Sequence, residues 1–290
     1  MNYEGLIIRP PSEAYSLLLQ VTVGCSHNKC TFCGTYQRKK FKIKSLDIIK
    51  NDLDEARSYG YVEKVFLCDG DALIIPQGKL KEILEFIKAK LPYVNRIGTY
   101  ANAKSILRKS ITELKELKNL GLKIIYLGVE TGNAELLKKI QKGVTYEQMV
   151  EASRRVKEAG ILLSVTVILG LGGIEKSIEH ATDTAKILTD MDPDYAGALT
   201  LMLVPDTSLY ADYMAGRFVL PDKFGFIREL YLIIANSNVT NCYFTSNHAS
   251  NYLAIKAHLP QEKDKILKMI SSIMNTKDLS RMRPEYLRGL

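Results

Sequence analysis

Strand-like and helix-like segments alternate through the first 205 residues of this 290-residue chain. Apolar runs typical of buried strands recur six times, and segments with amphipathic helical spacing lie between them. No short hairpin turn joins one run to the next, so the strands need crossover connections and should be parallel. We therefore predict an α/β fold of strand–helix units. The six runs are 15–23, 62–68, 96–100, 123–129, 161–169 and 195–204.

The pattern changes after Pro205. Helical spacing recurs at 222–236 and 261–274, and a short strand fits 239–244. We predict a barrel-like core over 1–205, and a mainly helical extension over 206–290 that packs on the core and closes its substrate side.

Composition narrows the class of protein. Hydrophobic residues make up 46% of the chain, which is enough for a large core, and no apolar run approaches the ~18 residues that span a bilayer. The first residues lack the layout of a signal peptide, and three of the five cysteines are crowded together, which favours a reducing compartment. We expect a cytoplasmic protein without a membrane partner.

The formal net charge of +8 includes basic runs at 38–44 and 281–283. This charge is compatible with anionic substrates, nucleic acid included, but a lysine-rich solvated surface explains it as well. We favour the solvated surface.

The crowded cysteines follow the first strand directly, in a C-x4-C-x2-C loop formed by Cys25, Cys30 and Cys33. A short loop at a strand end can aim three thiolates at one point, as a soft metal or an iron–sulfur cluster requires. A zinc site would need a fourth ligand, for which His27 is nearest, and structural zinc sites usually pair two knuckles where this chain offers one. Three thiolates on a [4Fe–4S] cluster would instead leave one iron open for chemistry.

This loop, with aromatic Phe32 before its last cysteine, resembles that of the radical S-adenosylmethionine (SAM) superfamily. The usual spacing there is C-x3-C-x2-C, so this chain has one extra residue between Cys25 and Cys30. The resemblance extends over all six strands. It implies a partial (β/α)6 parallel barrel, an enzyme, a [4Fe–4S] cluster on the three cysteines, and SAM as the second cofactor.

Further motifs resemble the branch that includes oxygen-independent coproporphyrinogen oxidases, tRNA methylthiotransferases and the Elongator catalytic subunit. The resemblance implies that the turn after strand two offers acceptors to the SAM ammonium group, and that the stretch after strand four supplies a hydrogen-bond acceptor and a cation for the SAM carboxylate. The end of strand five resembles the adenine-binding edge. The cofactor-binding candidates are Phe32, Asp69, Gly70, Asp71, Glu130, Lys142, Ile168 and Gly170.

The reaction implied by the resemblance is reductive cleavage of SAM, followed by radical chemistry on a bound substrate. It needs a reducing electron donor of the flavodoxin or ferredoxin type. We expect a small substrate, which the net charge allows to be anionic. One alternative is modification of RNA or a peptide, with the basic runs as docking surface, and another is a non-catalytic zinc-binding protein.

The polar and aromatic segment 241–252 is a candidate substrate loop. Cys242, Tyr243 and His248 are its candidate catalytic residues, the first two as hydrogen-atom donors or acceptors. An Asn/Ser-capped turn before a helix explains the segment equally well. Of the four histidines, only His27 and His248 are expected near candidate sites.

Overall fold

The computed structural model describes residues 1–37 and 39–289, so Arg38 of the basic run lies outside the described residues. The chain divides into two compact units. The first comprises residues 1–28, 35–127 and 151–163, and the second comprises 29–34, 128–150 and the residues from 164 onward. The boundary falls inside the cysteine loop, between Asn28 and Lys29.

The strands of the described residues follow the predicted order. They are β1 (Leu17–Gln20), β2 (Thr22–Val23), β3 (Lys42–Ile43), β4 (Lys64–Cys68), β5 (Arg96–Ala101), β6 (Leu122–Glu130), β7 (Leu162–Leu169), β8 (Tyr195–Thr200), β9 (Cys242–Thr245) and β10 (Lys256–Leu259).

Helices follow most of these strands along the chain. They are α1 (Leu46–Ala56), α2 (Gln77–Lys90), α3 (Ala103–Leu107), α4 (Ile111–Asn119), α5 (Ala134–Lys139), α6 (Tyr146–Glu158), α7 (Ser177–Met191), α8 (Ser208–Met214), α9 (Lys223–Asn236) and α10 (Lys263–Thr276). The Ser110–Glu113 capping box is present in full, with each side chain bonded to the backbone of the other.

In the first unit, β1, β4, β5 and β6 pair in parallel in that order. Gln20 lies opposite Cys68, so the residues that follow β1 and β4 leave the sheet side by side. Strand β4 is buried along nearly its whole length, as expected of a parallel strand covered on both faces. The two short strands β2 and β3 form an antiparallel ribbon beside the cysteine loop.

In the second unit, β7, β8 and β9 pair in parallel, and β10 pairs antiparallel to β9. Leu169 lies opposite Thr200, which places the carboxyl ends of β7 and β8 together. Segment 206–290 belongs to this unit together with 164–205. The proposed boundary at residue 205 stays a prediction.

The α/β class and the six parallel strands are confirmed, as β1, β4, β5, β6, β7 and β8. Strand β8 ends at Thr200 instead of 204, and the Thr200 N–H donates to the Ser250 Oγ. The extension also contains β10, which was not predicted; its four residues alternate between exposed and buried, but the run is short. Among the described residues, no helix is long and apolar enough to cross a membrane.

Candidate active site

The cysteine loop is shared between the two units. Cys25 belongs to the first unit, and Cys30 and Cys33 belong to the second. None of the three is in a disulfide and all are of intermediate exposure, whereas Cys68 and Cys242 are buried. Among the described residues, no group of three or more His, Cys, Asp or Glu side chains is arranged to hold a metal ion. The ligand triad therefore stays a prediction, although three accessible thiols are a suitable donor set for an iron–sulfur cluster.

The second part of the loop is fixed within the second unit. The Thr31 N–H donates to the Ile140 carbonyl at 3.0 Å, and the Thr31 carbonyl accepts from the Leu209 N–H at 3.0 Å. Phe32 packs against the apolar cluster around Ile140, which Ile168 also contacts. Two predicted cofactor residues, Phe32 and Ile168, thus share one cluster.

The turn after β4 lies against the first part of the loop. The Gly70 N–H donates to the Gly24 carbonyl at 3.1 Å. A Cβ atom on Gly70 would lie 3.0 Å from the Cys25 Cβ and 2.7 Å from the Tyr36 ring. Only glycine lets the turn approach Cys25 this closely.

Asp69 is fully buried in this turn, and its two oxygens differ. Its Oδ2 accepts from the Gly24 N–H at 3.2 Å, from Gln20 Nε2 at 3.3 Å and from Lys39 Nζ at 3.2 Å. Its Oδ1 is buried without a hydrogen-bond partner in the described part of the chain. A buried carboxylate oxygen with no donor is costly, so Asp69 is suited to a ligand that brings one.

Asp71 differs from Asp69, because both of its carboxylate oxygens accept hydrogen bonds from the protein. Its Oδ1 accepts from the Asn102 N–H at 3.1 Å, and its Oδ2 accepts from Ser105 Oγ at 2.6 Å and from the Ser26 hydroxyl. Burial raises the pKa of Asp71, and the hydrogen bonds from Ser105, Ser26 and Asn102 act in the opposite direction. Asp71 therefore holds the loop residue next to Cys25.

Two of the candidate cofactor residues, Glu130 at the end of β6 and Lys142, form an ion pair with each other. Lys142 Nζ lies 2.7 Å from Glu130 Oε1, and both side chains are nearly buried. Glu130 adopts a positive φ of 68°, an uncommon backbone conformation for a residue other than glycine. A Cβ atom on Gly128 would lie 2.2 Å from Glu130 Oε1, so the glycine makes room for the carboxylate. These contacts explain the Gly-x-Glu pattern and the twelve-residue spacing to the lysine.

The end of β7 is held by two buried groups that sequence reasoning missed. His180 Nε2 lies 2.9 Å from the Ile168 carbonyl, and Glu229 Oε2 accepts from the Gly170 N–H at 2.6 Å. Ser177 Oγ donates to the other Glu229 oxygen at 2.6 Å. The expectation that only His27 and His248 lie near candidate sites is wrong, because His180 contacts Ile168.

The signal for these two residues was present but weak. His180 and Glu229 are fully buried on the core-facing sides of α7 and α9. Burial lowers the pKa of His180 to about 4 and raises the pKa of Glu229 to about 7. A titratable residue among apolar helix positions is the pattern to look for.

The candidate catalytic residues of segment 241–252 lie in different surroundings. Cys242 is buried on β9, and the Tyr243 ring packs 4.7 Å from the His258 ring. His248 is half-buried, and its Nδ1 accepts from the Ser250 N–H at 3.1 Å. Burial, together with the Arg283 charge, lowers the pKa of His248.

The adjacent Ser250 and Asn251 complete the end of β8. Ser250 Oγ accepts from the Thr200 N–H at 3.1 Å. Asn251 Oδ1 accepts from Thr200 Oγ1 at 2.8 Å, and its Nδ2 donates to the Ala198 carbonyl at 2.7 Å. Arg283 Nη1 donates to the carbonyl of His248 at 2.8 Å. The turn of the alternative interpretation is present at these residues, but the element that follows it is strand β10 and not the expected helix.

Comparison with known proteins places this geometry in one family. Residues 19–185, more than half of the chain, match the model of the radical SAM superfamily. An uncharacterised protein of Methanocaldococcus jannaschii is 26% identical over 224 residues, covering 73% of this chain and 68% of the relative. The heme chaperone HemW of Bacillus subtilis is 25% identical over 164 residues, which cover 56% of this chain and 42% of HemW.

Two solved structures share the fold. Methylornithine synthase is 19% identical with a TM-score of 0.54, over 77% of this chain and 63% of that one. The methyltransferase TsrM of Kitasatospora setae, solved with cobalamin and a [4Fe–4S] cluster, is 20% identical with a TM-score of 0.57, over 71% of this chain and 41% of TsrM. The predicted partial parallel barrel is confirmed by this likeness.

Proposed function

This chain belongs to the radical SAM superfamily, and we propose that Cys25, Cys30 and Cys33 hold its [4Fe–4S] cluster. We propose further that the enzyme cleaves SAM reductively and starts radical chemistry on a small substrate. The superfamily consists of enzymes that use a [4Fe–4S] cluster and SAM, so the chain is an enzyme of this kind and not a non-catalytic zinc protein. What we propose beyond the family is the role of each residue and the class of substrate.

The three thiols of the loop suit the cluster. They are partly exposed and not engaged in disulfides, and the cysteines outside the loop are buried. Thiolates are the usual ligands of such clusters. When bound, the cluster supplies the electron that breaks a sulfur–carbon bond of SAM; the residues of the chain hold and orient the cofactor.

The ion pair of Glu130 and Lys142 is the observation that carries the proposal. The two groups neutralise each other at 2.7 Å. The SAM carboxylate can replace Glu130 as the partner of Lys142, and the hydrogen-bond donors of SAM can replace Lys142 as the partner of Glu130. Lys142 then faces the SAM carboxylate and Glu130 accepts hydrogen bonds from SAM, with little change in the charge of the pocket.

The hydrogen bonds and packing of the other predicted cofactor-binding residues indicate different roles for them. Asp69 supplies a buried Oδ1, which has no hydrogen-bond partner among residues 1–37 and 39–289, for the SAM ammonium group, whereas both oxygens of Asp71 already accept hydrogen bonds. Gly170 gives its N–H to Glu229, so it can flank the adenine only through its carbonyl and backbone surface. Phe32 and Ile168 supply apolar contact.

We place the substrate of this reaction at segment 241–252. His248 supports this placement best, because its Nδ1 accepts the Ser250 N–H and the neutral ring then carries its proton on Nε2. Such a ring can donate to a polar or anionic substrate. Cys242 and Tyr243 stay proposals for hydrogen-atom transfer, and the electron donor is proposed to be of the flavodoxin or ferredoxin type.

Anaerobic reconstitution with iron and sulfide, followed by dithionite and SAM, tests the proposal. We expect about four irons per chain and formation of 5′-deoxyadenosine. Alanine variants of Cys25, Cys30 or Cys33 should lose both, whereas Cys68→Ser, a buried cysteine outside the loop, should keep its iron.

Three results would contradict parts of the proposal. One tightly held zinc would refute the cluster. Methylthioadenosine in place of 5′-deoxyadenosine would show that another bond of SAM is cut. Salt-sensitive binding of tRNA would favour a macromolecular substrate over a small one.

A further inference from the structure

We infer that His180 is a positioning residue of the SAM site, which ties the end of β6 to the end of β7 through a neutral imidazole. The inference rests on the proposed function, which places SAM at these two strand ends. His180 itself lies on α7 and need not touch the cofactor. It acts through the backbone of Ile168 and the side chain of Thr131.

The two ring nitrogens have fixed and different roles. Nε2 lies 2.9 Å from the Ile168 carbonyl, which can only accept, so Nε2 carries the proton. Nδ1 must then accept, and the Thr131 hydroxyl lies 2.8 Å away as its donor. The Thr184 hydroxyl is a more distant second donor at 3.4 Å. One residue thus bonds the backbone of β7 and the turn directly after β6.

The surroundings keep this ring neutral and immobile. His180 has no exposed surface, and burial keeps its pKa far below neutrality. The nearest acid is Glu229, whose Oε2 lies 3.9 Å from Nε2, while Asp183 is the other charge that acts on the ring. A Cβ atom on Gly172 would lie 3.0 Å from the His180 Cβ, so the chain after β7 packs directly on this residue.

The helix that carries His180 also contacts the turn after β6 directly. A Cβ atom on Gly132 would lie 2.0 Å from the Asp183 carbonyl, and the Gly132 N–H donates to Thr184 Oγ1 at 3.2 Å. The turn is therefore held one residue beyond Thr131. Glu130, at positive φ, immediately precedes this anchored segment. Backbone in such a conformation persists only where its surroundings fix it.

The consequence is a specific coupling between two parts of the proposed SAM site. Glu130 sets the position of one hydrogen-bond acceptor, and Ile168 lies at the apolar edge proposed for the adenine. If His180 loses its polar atoms, the two strand ends lose their common anchor. The affinity for SAM should fall more than the stability of the fold or the content of iron.

Three variants distinguish the effect of the hydrogen bond from His180 to Ile168 from that of the hydrogen bond between His180 and Thr131. In His180→Gln the side-chain amide can reach the Ile168 carbonyl but offers nothing at the position of Nδ1. In His180→Asn the amide can accept from Thr131 but does not reach Ile168. His180→Phe keeps a ring and loses both bonds. Leu188→Ala, a buried apolar truncation on the same helix, is the control for lost stability alone.

The experiment measures the SAM dissociation constant of the reconstituted holoenzyme by equilibrium dialysis, with iron content and Tm for each variant. We expect His180→Phe to weaken SAM binding at least tenfold and the Gln and Asn variants to weaken it less, all with wild-type iron. Leu188→Ala should lower Tm and leave the dissociation constant unchanged.

Two results would overturn the inference. One is wild-type SAM affinity in His180→Phe, and the other is an equal loss of affinity in Leu188→Ala. If the wild-type holoenzyme bound no SAM at all, the proposed function would fall and this inference with it. If the wild type bound SAM and the His180 variants bound it equally, only this inference would fail.

Discussion

Glu229 offers a sharp test of the electrostatics of the buried region, through its replacement by glutamine. Its carboxyl has no exposed surface, and its oxygens accept from the Gly170 N–H and from Ser177 Oγ. Burial disfavours the charged form more than these two hydrogen bonds favour it, so the pKa rises from 4.5 to about 7. Glutamine is close in shape and keeps an oxygen for Gly170, while its amide can donate to Ser177 Oγ.

The sign and size of the effect follow from linkage. Because the folded-state pKa lies above the unfolded value, the stability that this group contributes is fully present below pH 4.5 and is lost as the pH rises through about 7. Each unit of pKa difference corresponds to about 1.4 kcal/mol, so the wild type should lose about 3 kcal/mol from this group by pH 8. Glutamine does not titrate, so the Glu229→Gln variant loses no stability at this position as the pH rises. The free energy of unfolding of Glu229→Gln, relative to the wild type, should therefore rise by about 3 kcal/mol between pH 4.5 and 8.

Urea unfolding of both proteins at several pH values, under reducing conditions, measures this difference. His180 lies 3.9 Å from Glu229 and its depressed pKa costs stability as the pH falls from 6.5 towards about 4, so the replacement can also change the titration of His180. Repeating the comparison in the His180→Gln background isolates the contribution of Glu229. Glu85→Gln, at an exposed position on α2, is the matched control and should stay within about 0.5 kcal/mol at every pH. A difference for Glu229→Gln that does not change with pH would refute the argument that this carboxyl is held near neutrality.

Three further predictions concern the site. Lys142→Met should raise the SAM dissociation constant at least tenfold, because it removes the partner of the SAM carboxylate and leaves the nearly buried Glu130 unpaired. The control Lys139→Met, at an exposed position, should leave the constant unchanged. Equal dissociation constants for the two variants in equilibrium dialysis would contradict this prediction. Asp69→Asn should weaken binding of SAM but not of methylthioadenosine, which lacks the ammonium group, and parallel losses would count against its role. Asn251→Ala should lower the free energy of unfolding by about 2 kcal/mol, since it leaves two buried partners unpaired, while the exposed Asn247→Ala should change it little.

The order of the elements could be predicted because local signals and tertiary packing agree. Ser45 accepts from the Ile48 N–H at the start of α1, and Thr145 exchanges bonds with Gln148 at the start of α6, as their spacing predicts. The family resemblance implies that Glu130 and Lys142 each contact SAM, and their pairing with each other is seen only in the structure. Neither residue type nor spacing alone would have brought a strand end and a lysine twelve residues later into contact.

Other features depend on contacts between segments far apart in the chain. Glu229 bonds Gly170 across 59 residues, and His180 joins Thr131 to Ile168, so no local period indicates either. Asp69 and Asp71 are equivalent in the sequence. They differ in the structure because the Asn102 backbone and two hydroxyls reach only the second aspartate.

The unusual four-residue spacing between Cys25 and Cys30 also acquires a physical explanation. Ser26 donates its hydroxyl to Asp71, and Asn28 Nδ2 donates to the Tyr36 carbonyl at 2.8 Å. Asn28 has a φ of 44°, in the left-handed region that asparagine tolerates better than most residues. Two of the four intervening residues are thus bonded within the first unit, and the chain turns at the second of them. Ser26 and Asn28 hold the segment between Cys25 and Cys30 in place, so the additional residue lengthens the loop while the loop stays hydrogen-bonded to the first unit. The turn that follows β4 sets the position of Cys25.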